Sequence, residues 1–288
     1  SYTQMRLVLS PNSTANPLAN SIKPTGGSEV ALTTPSGQEN GLKMNINIDI
    51  PANKVADFAM DFDACRSFVK AGKYLLKPVL SIIPILSESG QKVIGYVVLL
   101  LANSSARVSM QQDGRVLRST VPDSSGRFVL YPVPVGIYDL VITASGHANS
   151  VITRVPVNTS TPTLIGSDSV RIDTPDSTSS HLASGAITVN ASTLATDGIV
   201  RATQSFGSGT RIETGFALAD SLTGAYALRL PTAAPASLVY MAGSTRFDFV
   251  DETASSGSYQ FEASVPGLVA KEAEIGLSSD LTTNFSFP

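Results

Sequence analysis

The sequence predicts an all-β chain of tandem antiparallel sandwiches, immunoglobulin-like or transthyretin-like, with minimal helix. Three observations carry that prediction. Apolar and polar residues alternate at period two in one segment after another, the pattern of strands with one buried face. Turn signals of Gly, Pro, Asn, Asp and Ser punctuate those segments at short intervals, as sandwiches require. The later two-thirds is dominated by Ser, Thr, Ala, Gly and Val, with β-branched residues to line strands and small polar ones to make turns.

The elements follow in order. Met5 to Leu9 reads as an opening strand. Met44, Ile46, Ile48 and Ile50 alternate with Asn45, Asn47 and Asp49, and Phe58, Met60 and Phe62 alternate with Asp57, Ala59 and Asp61. One helical turn or two is expected at Asp63–Lys70, where Asp63 would cap the first free N–H groups and Gly72 would end the helix. The ten-residue apolar run Val93–Ala102 is too short to span a bilayer as a helix. Tyr138, Leu140, Ile142 and Ala144 share one strand face, as do Tyr259, Phe261 and Ala263, and Leu281, Thr283, Phe285 and Phe287 end the chain in the same way. Turns are expected at Pro35-Ser-Gly37, Asp113-Gly114, Pro122–Gly126, Gly207-Ser-Gly209 and Ser256-Gly257.

The chain repeats itself. Gly126-Arg-Phe128 and Gly136-Ile-Tyr138 are echoed by Gly224-Ala-Tyr226 and Gly257-Ser-Tyr259. The step from Tyr138 to Gly146 and that from Tyr259 to Gly267 are both eight residues. Two copies of one module is the reading, with each glycine supplying a positive-φ turn before an aromatic core residue. The second copy carries an insertion near 233–254 that holds Tyr240, Met241, Phe247, Phe249 and Val250. An extra hairpin packed on the core is favoured there over an exposed recognition loop. The divisions expected are 1–86, 91–165 and 183–288, with Ser87–Gly90 as a junction and Asp173–Ser180 as a polar linker. A length of 288 residues suits two or three domains.

These residues resemble two families. Asp123, Gly126, Phe128, Pro134, Gly136, Tyr138 and Gly146 look like the pattern of the carboxypeptidase regulatory-like domain, a transthyretin-like, seven-stranded sandwich; the copy departs from it at His147, where an aromatic is usual. The second copy, 183–288, is similar but interrupted by its insertion. Residues 1–86 resemble the C-terminal half of the bacterial DUF4382 family. The resemblance lies in Tyr2–Leu7, Pro35-Ser-Gly37, Gly41-Leu-Lys43, Asp61–Ala64 with Ser67, and Tyr74–Pro78. By that comparison the family's first strands are missing, and the abrupt opening with no cationic or apolar leader in Ser1–Arg6 suggests a trimmed form whose natural start lay upstream. The resemblance implies an exported bacterial envelope protein with a structural or binding role.

Composition narrows the chemistry. A net charge of −3 offers no footprint for nucleic acid and no polybasic membrane anchor. Seven of the eight lysines precede residue 93. The first repeat has only Lys92, at its very start, to offer an intramolecular isopeptide bond, and Lys271 in the second sits in a polar, exposed-looking stretch. One cysteine, Cys65, excludes an internal disulfide and a multi-cysteine metal site; it reads as a small buried hydrophobe. His147 and His181 are the two histidines, read as ordinary surface or half-buried residues, since no Gly-x-Ser-x-Gly elbow accompanies them. Asp57, Asp61 and Asp63 fall on one strand face with the spacing of paired carboxylates or a hard-cation site. The favoured reading of them is a solvated face with Asp63 as a helix cap, so no catalytic, cofactor-binding or metal residue is expected.

The function expected is a non-enzymatic cell-envelope or extracellular structural protein, self-associating or holding a protein partner, in the sharper version by strand exchange. The alternative is an extracellular adhesion module for a glycan, peptide or protein.

Overall fold

In a computed structural model of the chain, the structure describes residues 2–24, 26–34, 42–48, 57–62, 67–71, 73–76, 78–85, 91–190, 193–194, 198–220 and 223–288. Ile50, Asp63, Cys65, Pro35-Ser-Gly37 and the Ser87–Gly90 junction lie outside them. Regular structure among the described residues is β apart from a five-residue α-helix, Leu99–Asn103, and a single 3-10 turn, Thr253–Ser255.

The N-terminal unit holds β1 (Tyr2–Leu7), β2 (Ser21–Ile22), β3 (Val30–Thr33), β4 (Leu42–Ile48), β5 (Asp57–Phe62), β6 (Phe68–Ala71), β7 (Lys73–Leu76) and β8 (Leu80–Ile85). They form a β1–β4 pair, a β5–β8 pair and a four-stranded sheet ordered β2-β3-β7-β6. Two expectations fail here. Phe68 to Ala71 is a strand rather than a helix, paired antiparallel with β7 from Phe68↔Leu76 to Ala71↔Lys73. The aromatic and β-branched pair Phe68-Val69 finds a ladder partner in β7, and that outweighs a lone capping signal. In β5, Met60 and Phe62 are exposed while Ala59 and Asp61 are half-buried. Neither face of β5 is fully covered, since Phe58 on the apolar side is half-buried too, and Asp61 faces an arginine of the next module. Phe62 instead lays its ring edge-on against Phe68 at 5.9 Å.

The first sandwich comprises β9 (Val93–Tyr96), α1 (Leu99–Asn103), β10 (Arg107–Gln112), β11 (Arg115–Thr120), β12 (Arg127–Leu130), β13 (Gly136–Thr143), β14 (Ser150–Val157) and β15 (Thr163–Ile165). The apolar run from Val93 thus divides between a strand and a helix, and Val93, Val97 and Leu101, four residues apart, are fully buried. One sheet runs β12-β9-β15, and β11-β10-β13-β14 belong to the other. Phe128, Met110, Leu140, Ile142 and Ile152 fill the space between them.

The second sandwich holds β16 (Ser180–Val189), β17 (Thr193–Leu194), β18 (Ile199–Ser205), β19 (Arg211–Leu218) and β20 (Ala225–Pro231). After β21 (Ala236–Val239) and β22 (Val250–Asp251) come β23 (Ser258–Ser264), β24 (Lys271–Gly276), β25 (Leu281–Thr282) and β26 (Phe285–Phe287). One sheet is β17-β16-β20 with β25 and β26 also on β16, and the other is β19-β18-β23-β24. Its core includes Ile187, Val200, Phe261 and Tyr226, the last two rings lying 6.4 Å apart.

All four repeat aromatics, Phe128, Tyr138, Tyr226 and Tyr259, are buried. Gly126, Gly224 and Gly257 take φ of 80°, 67° and 59° before theirs, conformations that exclude most side chains. Gly136 differs: its φ is not positive, and it is needed because a Cβ would lie 2.9 Å from the Tyr138 hydroxyl.

Between β20 and β23 the chain leaves the second sandwich and enters the sheet of the first. β21 pairs in parallel with β14, Ser150↔Ala236 through Thr153↔Val239. β22 pairs antiparallel with β21, giving a six-stranded sheet β11-β10-β13-β14-β21-β22. Leu238, Tyr240, Phe247 and Phe249 pack on the first core.

Candidate functional site at the joint between sandwiches

Where the two sandwiches meet, a small apolar cluster forms from Val141 of β13, Val151 of β14, and Phe206 and Ile212 flanking the β18–β19 turn. These two valines alternate with the core residues of their own strands and so point out of the first sandwich; the second sandwich covers them. The cluster is bordered on both sides by buried polar groups that pair across the joint.

On one side Gln111 and Glu213 exchange hydrogen bonds. The Gln111 amide Nε2 donates to the Glu213 carbonyl at 2.8 Å, and the Glu213 backbone N–H donates to Gln111 Oε1 at 2.7 Å. The Glu213 carboxylate receives Arg201 Nε at 2.8 Å, and the Glu262 carboxylate receives Arg201 Nη1 at 3.1 Å. Arg201 Nη2 reaches across to the carbonyl of Gly114 in the Asp113-Gly114 turn of the first sandwich. Burial by itself would lower the pKa of this guanidinium, but the two carboxylates outweigh it and the net shift is upward. Each of the three guanidinium nitrogens thereby finds an acceptor, which helps the interior tolerate the charge.

On the other side Asn149 Nδ2 donates to Gln204 Oε1 at 2.7 Å and to the Tyr259 hydroxyl at 3.3 Å. That hydroxyl donates to the Pro231 carbonyl at 2.5 Å, and burial pushes the phenol pKa well above its ordinary value.

The linker is also held. Ala148 N–H donates to the Pro175 carbonyl and Ser177 N–H to the Gly146 carbonyl, both at 2.8 Å, and His147 forms an isolated bridge with Asp176. His147 is therefore buried, not the surface or half-buried residue that its sequence context suggested. Its Nδ1 lies 3.2 Å from the Thr174 carbonyl and 3.6 Å from Asp176 Oδ1. The reason is that the polar segment 173–180 folds back over the strand end instead of spanning solvent. His181 sits 3.4 Å from Asp280. Beside the joint lies a cleft of about 500 Å³, walled by Thr143, Gly146, Ser177, Ser180, Arg229 and Pro231.

Of the acidic candidates, Asp63 lies outside the described residues and Asp61 turns to an arginine. Asp61 pairs at 2.5 Å with Arg118 Nη1, and Arg118 also donates from Nε and Nη2 to the Pro132 carbonyl at 3.2 and 3.1 Å. This ion pair fastens the N-terminal unit to β11. Among the described residues no group of three His, Cys, Asp or Glu side chains is placed to hold a metal ion. Lys271 is exposed, bonded to the Ser286 carbonyl and 5.5 Å from the Phe287 ring centre. Sequence reasoning missed Gln111, Arg201 and Glu213. The available signal was the stretch Val200 to Gln204, which is buried throughout yet breaks the apolar–polar alternation with an arginine.

Residues 1–78 match the DUF4382 family, a domain of unknown function. None of the curated proteins matches the chain. Among solved structures, a type II cohesin–X-dockerin complex from Acetivibrio cellulolyticus is similar at 22% identity and a TM-score of 0.23, over 30% of this chain and 56% of that one. The TIE protein of Bacillus anthracis is similar at 13% identity and 0.24, over 88% and 47%. The minor pilin of Streptococcus agalactiae is similar at 12% and 0.23, over 73% and 88%. The chain spans about half the length of the first two. No helix among the described residues is long and apolar enough to cross a membrane.

Proposed function

We propose that the chain is a non-enzymatic structural element of a bacterial cell envelope, a stiff spacer made of a DUF4382-type unit and two carboxypeptidase regulatory-like sandwiches, displayed outside the cytoplasm. The single observation that carries this reading is that the second sandwich donates a hairpin to the sheet of the first. The joint is therefore continuous β-structure flanked by buried polar pairs, not a free hinge. Relative domain motion is the default for modules that share only a small interface, and a shared sheet removes it. The same pairing offers a route to assembly: a β21–β22 hairpin that seats on β14 within one chain can seat on β14 of a second copy, the logic of a domain swap.

Light scattering and negative-stain electron microscopy on the native, cell-derived protein test this, alongside protease shaving of intact cells. Shaving that removes the protein, with extended particles that lengthen as concentration rises, is the expected result. Globular monomers protected inside intact cells overturn it.

A second reading, an adhesion module, is favoured by the cleft beside the joint. Its wall of hydroxyls with the single guanidinium of Arg229 suits a polyhydroxylic ligand such as a glycan. Retention on immobilised glycans that Arg229→Ala abolishes supports it; equal retention of the two proteins counts against it.

A further inference from the structure

The first and last strands of each sandwich lie side by side and run parallel. In the first, β9 pairs with β15, Val93↔Thr163 through Gly95↔Ile165, and the parallel run continues at Val97↔Ile172. In the second, β16 pairs with β25 and β26, from Ala183↔Leu281 to Val189↔Phe287. From this juxtaposition we infer that the chain is a tension-bearing tether whose sandwiches are loaded in shear when pulled by their ends.

The argument is geometric. In a parallel pair made of the entering and leaving strands, the chain enters at one end of the ladder and leaves at the other. Pulling the two ends apart then slides the strands along each other, and all the bridging hydrogen bonds resist together. An antiparallel terminal pair would have both ends at one edge and would open one bond at a time. The first clamp is joined by Thr163 N–H to the Lys92 carbonyl at 2.8 Å, Ile172 N–H to the Tyr96 carbonyl at 2.8 Å and Val98 N–H to the Ile172 carbonyl at 2.9 Å.

The second clamp is interrupted where β25 gives way to β26, and side chains take over the missing rungs. Asp280 Oδ1 accepts from Leu182 N–H at 2.8 Å, Asn284 Oδ1 accepts from Ala186 N–H at 2.9 Å, and Thr188 Oγ1 donates to Ser286 Oγ at 3.1 Å. Backbone bonds continue at Thr283 N–H to Ser184 O, 2.7 Å, and Asn190 N–H to Phe287 O, 2.9 Å. Gly185 lets the strands approach this closely: a Cβ there would sit 1.7 Å from the Thr283 carbonyl oxygen.

The joint itself is crossed three times by the chain, at the linker before β16, between β20 and β21, and between β22 and β23. The linker is therefore not the sole path for load. The parallel β14–β21 pairing and the Arg201 pairs share it.

This inference deepens the structural reading, but its test is made on purified protein and is independent of where the cell places it. The full chain is held by its two ends at constant force, as wild type, as Asp280→Ala/Asn284→Ala, as the milder Thr188→Ala, and as the control Gln260→Ala. The control removes a surface bond to Glu272 on the antiparallel β23–β24 pair. Forced unfolding is governed by the unfolding rate, and one net hydrogen bond is worth about a fivefold change in it. The expected result is a cooperative unfolding step for the second sandwich that is faster under load by about fivefold in Thr188→Ala and by more than tenfold in the double variant. Gln260→Ala leaves that step unchanged. Gradual extension of the wild type without a cooperative step, or equal loaded rates for the clamp variants and the control, overturns the inference.

Discussion

Replacing Arg201 by methionine removes the guanidinium while keeping much of the buried stem. Three interactions go with it: the 2.8 Å bond to Glu213, the 3.1 Å bond to Glu262 and the bond to the Gly114 carbonyl across the joint. The remaining carboxylates fare differently. Glu262 has a second cation at hand, Arg115 at 3.9 Å, and keeps a partly exposed side chain. Glu213 is 5% exposed and would lose the guanidinium that now lies 2.8 Å from its carboxylate. Breaking a buried pair from one side costs about 3–5 kcal/mol, a large share of the roughly 5–15 kcal/mol that holds a typical protein folded. Adding Glu213→Gln removes that carboxylate's charge, so the double variant should recover most of that loss. Urea unfolding followed by far-UV circular dichroism is the assay, because the chain has no tryptophan. X-ray scattering in parallel should show a longer, more variable particle for the single variant alone. A loss below about 1 kcal/mol for Arg201→Met, or a double variant no more stable than the single, would refute the reasoning from a buried ion pair broken on one side.

Deleting 233–254 with a short linker should lower the melting temperature of the first sandwich and yield dimers or larger species by light scattering. It uncovers the edge of β14, whose ladder partner is β21, and open edges recruit other chains. Gly185→Ala should cost about 1–3 kcal/mol in denaturant unfolding, as overpacking does, because its Cβ would meet the Thr283 carbonyl; a neutral effect would show that β25 can shift freely. Stability should fall with acid below about pH 4. Asp123 is held below the usual carboxylate range by the Ser125 hydroxyl and backbone N–H groups, and Asp280 by the Leu182 N–H. A lowered folded pKa gives stability that is present above the unfolded value and lost as pH falls through the folded one. At the alkaline end Tyr226 and Tyr259 have pKa values raised by burial, so their contribution is complete below about pH 10 and declines as pH climbs further. Thermal melts across the range, with Tyr226→Phe flattening the alkaline limb, check both signs.

Local pattern carried much of the fold. The alternation at Tyr138, Leu140 and Ile142 and at Tyr259, Phe261 and Ala263 appears as buried strand faces. The glycines before Phe128, Tyr226 and Tyr259 appear at positive φ. These are choices made within a few residues, by sterics and by the need to hide one face. The same reasoning failed at Phe68–Ala71, where a strand partner outweighed a capping signal, and at Met60 and Phe62, which stay exposed while Asp61 pairs with an arginine of another module.

What the sequence by itself determined is the class of structure, the turns, and the presence of a segment too apolar to stand in water as a loop. Where that segment goes was decided only by the tertiary structure. Tyr240, Phe247 and Phe249 cover the first core rather than their own, because β14 presents an edge of unpaired backbone groups and nothing in the local pattern around Ala236 specifies whose edge is met. Arg201, Gln111 and Glu213 are likewise ordinary polar residues in the sequence. They become a buried joint only when two sandwiches are brought face to face, since Arg201 draws its partners from 12, 61 and 87 residues away and Gln111 meets Glu213 across 102.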